Sequence, residues 1–326
     1  MQLTDSIGRN INYLRLSVTD RCNMRCFYCM PKEGITKREH GSILSYEELL
    51  LIAETAVGLG IEKIRITGGE PLVRAGLIGF LERLSAIPGL RHLALTTNGL
   101  LLEEMAADLH RAGVQRLNVS LDSLNPQTFS GITRGGELHK VLAGLDAAEQ
   151  AGFPPPKINC VIMQGVNDSE ILDFAEMTIT RGCSVRFIEY MPVVKEEGWQ
   201  RYCISGDEIL QRIAADYTLE QIDKGPYAGP SRDFHISGAC GSIGIITAVS
   251  GHFCSECNRI RVTSTGQAKG CLFSDVKTDL VPCLRPPDRL KLAELLRGIV
   301  SDKPERHGIS CDGYGHNNFT MAQVGG

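Results

Sequence analysis

Short runs in which apolar and polar residues alternate with a period of two recur through the first 190 residues, at 12–19, 62–67, 92–97, 116–122, 157–163 and 185–190. Longer stretches with apolar residues at helical spacing separate them. Two of these stretches, 45–59 and 169–181, open on the capping types Ser45 and Asp168. Strict strand–helix alternation predicts a parallel sheet with helices outside it, either doubly wound or wrapped like a barrel.

The phase of the alternation narrows this choice. Leu14, Leu16 and Val18 alternate with Arg15, Ser17 and Thr19, and Ile64 and Ile66 with Lys63, Arg65 and Thr67. Leu93 and Leu95 alternate in the same way with Ala94 and Thr96, and Leu117, Val119 and Leu121 with Asn118, Ser120 and Asp122. A parallel sheet buried on both faces reads as continuous Val, Ile and Leu, and a closed eight-stranded barrel fills its interior with side chains. Neither rule is obeyed. If the apolar face meets the helices, Arg15, Lys63, Arg65, Thr96, Ser120, Lys157 and Arg186 point into the concave inside of a partial, TIM-like (β/α)6 barrel. Burying that many cations without partners costs several kcal/mol each, so such a lumen implies a polyanionic ligand such as a phosphate chain. A sheet with one solvated face is the other reading, and it suits antiparallel sheets better than strand–helix–strand crossovers.

Beyond about residue 220 the pattern changes to short strands joined by Gly-rich turns, at 233–236, 242–249, 258–263 and 267–271, then to helical spacing over 279–301 and an irregular tail. The expectation is an α/β chain in two parts. Residues 1–220 form the partial barrel, and 221–326 add a C-terminal antiparallel β layer at its mouth.

The candidate chemistry lies in the cysteines. Cys22, Cys26 and Cys29 form CxxxCxxC just past the first strand, with no fourth ligand nearby. An iron-sulfur cubane has four irons and is ordinarily held by four thiolates, so three leave one iron open to an exogenous ligand. A zinc knuckle would need a second CxxC or a HxxxH to close its tetrahedron. The only imidazole in range, His40, sits in a polar loop. Cys254 and Cys257 form a CxxC, with Cys271 thirteen intervening residues later. Zinc would need a fourth ligand there, from Cys240, His252 or Cys283, and spacing alone leaves zinc and iron-sulfur equally open. Arg259 and Arg261 follow on one strand face, two guanidinium groups beside the site that suit an anion or a purine.

Composition limits the partners. The 326 residues are 43% hydrophobic and 22% charged with a net charge of -4, so no global basic field draws nucleic acid or an anionic membrane. No stretch approaches the ~20 apolar residues of a membrane span, and the N-terminus lacks a signal-peptide core. Twelve cysteines spread through a long chain fit metal-bound thiolates in a reducing cytoplasm better than a disulfide scaffold. Cys160 reads as core, and Cys183, Cys203, Cys240, Cys283 and Cys311 have no assigned role.

CxxxCxxC with Tyr28 before its last cysteine, together with Gly68-Gly69-Glu70-Pro71 after the second strand, resembles the radical S-adenosylmethionine superfamily. Within it the chain resembles the GTP 3′,8-cyclases of molybdenum cofactor biosynthesis, the MoaA family, along 14–23, 65–71, 96–99, 118–122 and 186–189, the C-terminal cysteines and Gly325-Gly326. That resemblance implies two [4Fe-4S] clusters, on Cys22, Cys26 and Cys29 and on Cys254, Cys257 and Cys271, the second with an open iron for the guanine base. It implies S-adenosylmethionine contacts at Tyr28, Gly69, Ser120 and Met191. GTP contacts fall on Arg15, Arg65, Thr96, Lys157, Arg259 and Arg261, with Lys63 and Arg186 as further triphosphate partners. The implied reaction is closure of GTP to 3′,8-cyclo-7,8-dihydroguanosine 5′-triphosphate, with no acid–base residue assigned. A low-potential donor of flavodoxin or ferredoxin type, a homodimer, a downstream cyclic pyranopterin synthase and a glycine tail reaching the site complete the expectation. The rivals are a radical peptide-modifying enzyme with an auxiliary cluster and a zinc-stabilised nucleotide-binding protein.

Overall fold

The computed structural model describes residues 2–34, 40–191, 198–223, 225, 229–251, 253–307 and 321. The six runs of alternation are strands β1 (Tyr13–Ser17), β2 (Lys63–Thr67), β3 (His92–Thr97), β4 (Arg116–Ser120), β5 (Lys157–Ile162) and β6 (Ser184–Glu189). They pair in chain order, each parallel to the next. Helices α1 (Tyr46–Gly58), α2 (Leu77–Ser85), α3 (Leu102–Arg111), α4 (Pro126–Thr133), α5 (Leu138–Gln150) and α6 (Ile171–Thr180) lie between them in the chain.

Local chemistry sets the helix starts. Ser45 caps α1 in a reciprocal box, its hydroxyl accepting from Glu48 N at 3.2 Å while the Glu48 carboxylate accepts from Ser45 N at 2.6 Å. Asp168 does not cap α6. It lies in a 3-10 turn over Asp168–Glu170, where its carboxylate accepts from Gly165 N at 2.7 Å, and the helix starts after Glu170. A side chain that bonds its own loop is not free to cap the turn that follows.

The apolar phase faces the helices. Leu14, Leu16, Ile64, Ile66, Leu95, Val119, Ile158, Cys160, Val185 and Phe187 are each fully buried in one core cluster. The opposite face is not solvated, since Arg15, Asn118 and Arg186 on it are also buried. That removes the one-solvated-face reading.

After α7 (Gly206–Asp216) come β7 (Leu219–Ile222), β8 (Arg232–Ile236), β9 (Ser242–Ile246), β10 (Arg259–Val262), β11 (Gln267–Lys269), β12 (Thr278–Asp279) and α8 (Arg289–Ser301). The sheet order is β12-β11-β10-β1-β2-β3-β4-β5-β6-β9-β8-β7. The antiparallel strands expected at the C-terminal end are present, and they extend the same sheet at both edges instead of stacking on it. β10 and β9 join β1 and β6 in parallel, and only the outer strands β7, β8, β11 and β12 run antiparallel. Among the described residues, no helix is long and apolar enough to cross a membrane.

Candidate active site between two cysteine triads

Cys22, Cys26 and Cys29 lie in the loop that leaves the C-terminal end of β1. The glycine loop after β2 is laced onto the chain just ahead of them. Gly69 N donates to Thr19 O and Glu70 N to Arg21 O, both at 2.8 Å. A Cβ on Gly69 would lie 2.4 Å from Arg21 O, so only glycine permits this approach. The Glu70 carboxylate accepts from Leu72 N at 3.0 Å, Thr97 Oγ1 at 2.8 Å and Asn98 N at 2.6 Å, locking the ends of β2 and β3 together. Burial pushes that carboxyl up to about 7. On the far side of the loop the Tyr28 phenol donates to Asp122 at 2.7 Å, and Asp122 accepts from Val161 N at 2.9 Å. Burial, then Asp122, Cys29 and Cys22, push the Cys26 thiol well up. Burial and Glu70 raise the Cys22 thiol as well, and thiols held protonated in this way lose their protons when a metal binds.

The second triad stands at the other end of the strands. Cys254 and Cys257 flank a 3-10 turn just ahead of β10, and Cys271 follows β11, which runs back antiparallel to β10. Because β10 is parallel to β1 with Arg259 level with Tyr13, this triad lies at the N-terminal edge of the sheet. A strand of five residues rises about 17 Å, so the two triads are separated by the height of the sheet. Burial raises the Cys257 thiol, but Arg259 and Lys303 more than offset this and bring it to about 6.

Among the described residues, each donor set is three thiols and no imidazole or carboxylate, and the thiols within each triad interact electrostatically. Zinc would need a fourth donor to close its tetrahedron. In a cubane each thiolate takes its own iron, and three leave one iron open.

Over the inner face of the strands, against the second triad, lies a cavity of about 620 Å³, within the range of small-molecule sites. Strand register stacks its cations in rows. Tyr13 lies between Lys63 and Arg259, and Arg15 between Arg65 and Arg261. Lys157 is level with Asn118, and Arg186 with Asn159. All of these side chains line the cavity, as do Cys254, Cys257, Cys271 and Met191. Burial, then mutual repulsion, lowers the pKa of Lys63 and Lys157 to about 8 and that of Arg186 and Arg261 to about 10, and takes Arg15 well below its ordinary value. The charge crowded here is mostly of one sign; of the two aspartates that line the cavity, Asp223 and Asp233, the latter offsets Lys157 and Arg186.

Seven expected site residues do not line this cavity: Cys22, Cys26 and Cys29 of the first triad, and Tyr28, Gly69, Ser120 and Thr96. Tyr28 and Gly69 belong to the loops around the first triad, and Ser120 ends β4. Thr96 stands on β3 level with Asn118, its hydroxyl buried with no hydrogen-bond partner among the described residues, and the Asn118 amide nitrogen is in the same state. Such groups await a ligand or water. Tyr13, Asn118, Asn159, Asp233, Phe253, His307 and Met321 also line the cavity and were not singled out from the sequence. The period-two phase could have found Tyr13, Asn118 and Asn159. Nothing local marks Asp233, because its orientation depends on the antiparallel pairing of β8. His252, Cys311 and Gly325-Gly326 lie outside the described residues.

An open, mostly parallel sheet with a three-cysteine loop after its first strand defines a radical S-adenosylmethionine protein, and residues 16–178 match the Radical SAM superfamily model. Residues 183–309 match the Molybdenum Cofactor Synthesis C model. The fold is similar to the crystal structure of Streptococcus suis SuiB, with a TM-score of 0.62 at 13% identity over 90% of this chain and 66% of SuiB. The same protein bound to S-adenosylmethionine gives 0.55 at 13% identity over 83% of this chain and 61% of SuiB, so SuiB extends beyond the matched part. In sequence, the chain is 65% identical to the GTP 3′,8-cyclase of Geobacter sulfurreducens over 100% of both chains. It is 47% identical to that of Petrotoga mobilis over 99% of this chain and 100% of the relative. The chain belongs to the GTP 3′,8-cyclase family.

Proposed function

We propose that the chain closes GTP to 3′,8-cyclo-7,8-dihydroguanosine 5′-triphosphate, the first step of molybdenum cofactor biosynthesis, using two [4Fe-4S] clusters and S-adenosylmethionine. The observation that carries this reading is the cavity crowded with buried, mutually repelling cations against the second thiol triad. Cys22, Cys26 and Cys29 hold one cluster and Cys254, Cys257 and Cys271 the other. When bound, the first cluster and S-adenosylmethionine supply radical abstraction of the ribose C3′ hydrogen, which opens the way to a bond with guanine C8.

The chain's own residues bind and orient. Tyr28, Gly69, Ser120 and Met191 seat the cofactor. Arg15, Lys63, Arg65, Lys157 and Arg186 neutralise the triphosphate, and its charge in turn relieves their repulsion. Thr96 contributes a hydroxyl that has no hydrogen-bond partner among the described residues. Arg259 and Arg261 keep the nucleotide beside the second triad. Catalysis is then positioning of two carbons in a pocket shielded from water, with no acid–base pair. The same reading divides the chain at about residue 220 and takes a flavodoxin- or ferredoxin-type donor, a homodimer, a cytoplasmic setting and hand-over to a cyclic pyranopterin synthase. SuiB, whose structure bound to the precursor peptide SuiA also matches, shares the fold alone, and a peptide-modifying role would give the cations no counter-charge.

Iron and sulfide analysis of anaerobically purified protein tests the assignment, with about eight irons and eight sulfides per chain expected. With dithionite and S-adenosylmethionine, GTP is consumed and ATP is not. Zinc without sulfide, or equal turnover of ATP, rejects it.

A further inference from the structure

The residues that follow α8 pack against the second triad, and of these His307 lines the cavity while Lys303 does not. Lys303 is only 4% exposed, yet it carries an ammonium group. Its Nζ donates to Arg259 O at 3.0 Å, to Gly270 O, and to the Cys257 thiol. One cation therefore spans the two segments that bear Cys257 and Cys271. The close approach is built in: a Cβ on Gly270 would lie 3.1 Å from Ile299 O and 3.4 Å from Lys303 Cα, so glycine lets the end of α8 press against the cysteine strand. The segment is also held from the other side. Arg9, itself 7% exposed and paired with Asp5, donates to Cys254 O at 2.7 Å, Pro304 O at 2.8 Å and Glu305 O at 3.1 Å, and His307 N donates to the Cys254 thiol.

Unlike Arg259 and Arg261, neither Lys303 nor Arg9 lines the cavity. Their charge cannot serve the triphosphate. Satisfying two carbonyls requires only a neutral donor, whereas burying an ammonium costs several kcal/mol unless an anion lies beside it. A cluster held by three thiolates is anionic, and one-electron reduction makes it more so. Hydrogen bonds to the sulfurs and nearby fixed charge are among the groups that set such a potential.

We infer that Lys303 is a positioning residue for the second cluster, a buried counter-charge that holds the Cys257 and Cys271 segments together and raises the cluster's reduction potential. This rests on the reading that the second triad holds a cluster. It gives the segment from Lys303 to His307 a role that the substrate contacts leave unfilled.

The test uses the full-length, anaerobically reconstituted chain, titrated with reductant and followed by electron paramagnetic resonance. The cluster whose signal changes on adding S-adenosylmethionine belongs to the first triad. In Lys303→Met the other cluster's midpoint should move to lower potential with iron and sulfide unchanged, while the first cluster's midpoint stays put, and Lys303→Arg should restore it. An unmoved midpoint in Lys303→Met with full iron overturns the role of the charge. If Lys303→Met instead loses about four irons, the melting temperature of the metal-free protein decides. An unchanged value supports a counter-charge needed only by the cluster, and a lowered value makes Lys303 a structural bolt and overturns the inference. Wild-type chain carrying only about four irons overturns the cluster assignment and the lysine's role together.

Discussion

Arg259 and Arg261 stand on the same face of β10, but they are not equivalent. Arg259 hydrogen-bonds Cys257 as well as lining the cavity, so its loss reaches the thiols directly. Arg261 is 6% exposed, and burial and the Arg259 charge bring its guanidinium down to about 10. It is the cleaner probe of substrate binding. Arg261→Ala should keep both clusters and uncoupled S-adenosylmethionine cleavage while cyclisation falls by at least ~100-fold, since removing a buried contact to a charged group costs about 3 kcal/mol. Iron content and 5′-deoxyadenosine release, measured beside product, check it. Loss of iron would make the arginine structural. The inward phase of such residues is legible in the sequence because side chains on a strand alternate faces, and Arg15, Lys63 and Arg65 follow it without exception.

At the scale of elements, each loop at the C-terminal edge of β1 to β4 contributes one part of the first site, and the parts are fastened by backbone more than by side chains. Gly69 is the tightest fastening, with its α-carbon facing Arg21 O. Gly69→Ala should push the glycine loop off the 19–21 segment, weakening S-adenosylmethionine binding at least tenfold by equilibrium dialysis while the second cluster keeps its iron. Full cofactor affinity in that variant would contradict the close packing. The start of α1 was legible from Ser45 and Glu48 three residues apart. The start of α6 was not, because Asp168 had two partners to choose between and the sequence does not rank them.

For the whole molecule the governing quantity is the charge confined inside it. Lys63, Lys157 and Lys269 titrate at about 8 in the folded chain, against about 10.4 when unfolded. Burial raises the Tyr13 phenol, but Arg65, Arg15 and Lys63 more than reverse this and leave it at about 8. Between these values the unfolded chain binds more protons, so ligand-free stability should rise with pH from about 8 to 10, and the full repulsion is present below 8. Glu70, held at about 7 by burial, acts in the opposite sense, and stability falls as pH rises from about 4.5 to 7 on its account. A triphosphate keeps Lys63 and Lys157 charged. GTP binding near pH 8.5 should therefore take up protons and weaken as pH climbs further. Calorimetry in two buffers of different ionisation enthalpy measures the uptake, and proton release would contradict a cationic triphosphate seat.

The order of elements, the face each strand turns inward and both cysteine triads were set by the sequence alone, because strand period, helix caps and ligand spacing are local properties. Which strands meet is not local. β10 joins β1 across more than two hundred residues, and β9 joins β6, so tertiary pairing alone decided that the second triad lies at the opposite edge of the same sheet from the first. It also decided that Asp233 shares the cationic cavity and that Lys303, from beyond α8, returns to the thiols. Each of these depends on contacts between distant segments, whose closeness follows from burying one continuous apolar face and not from any neighbouring residue.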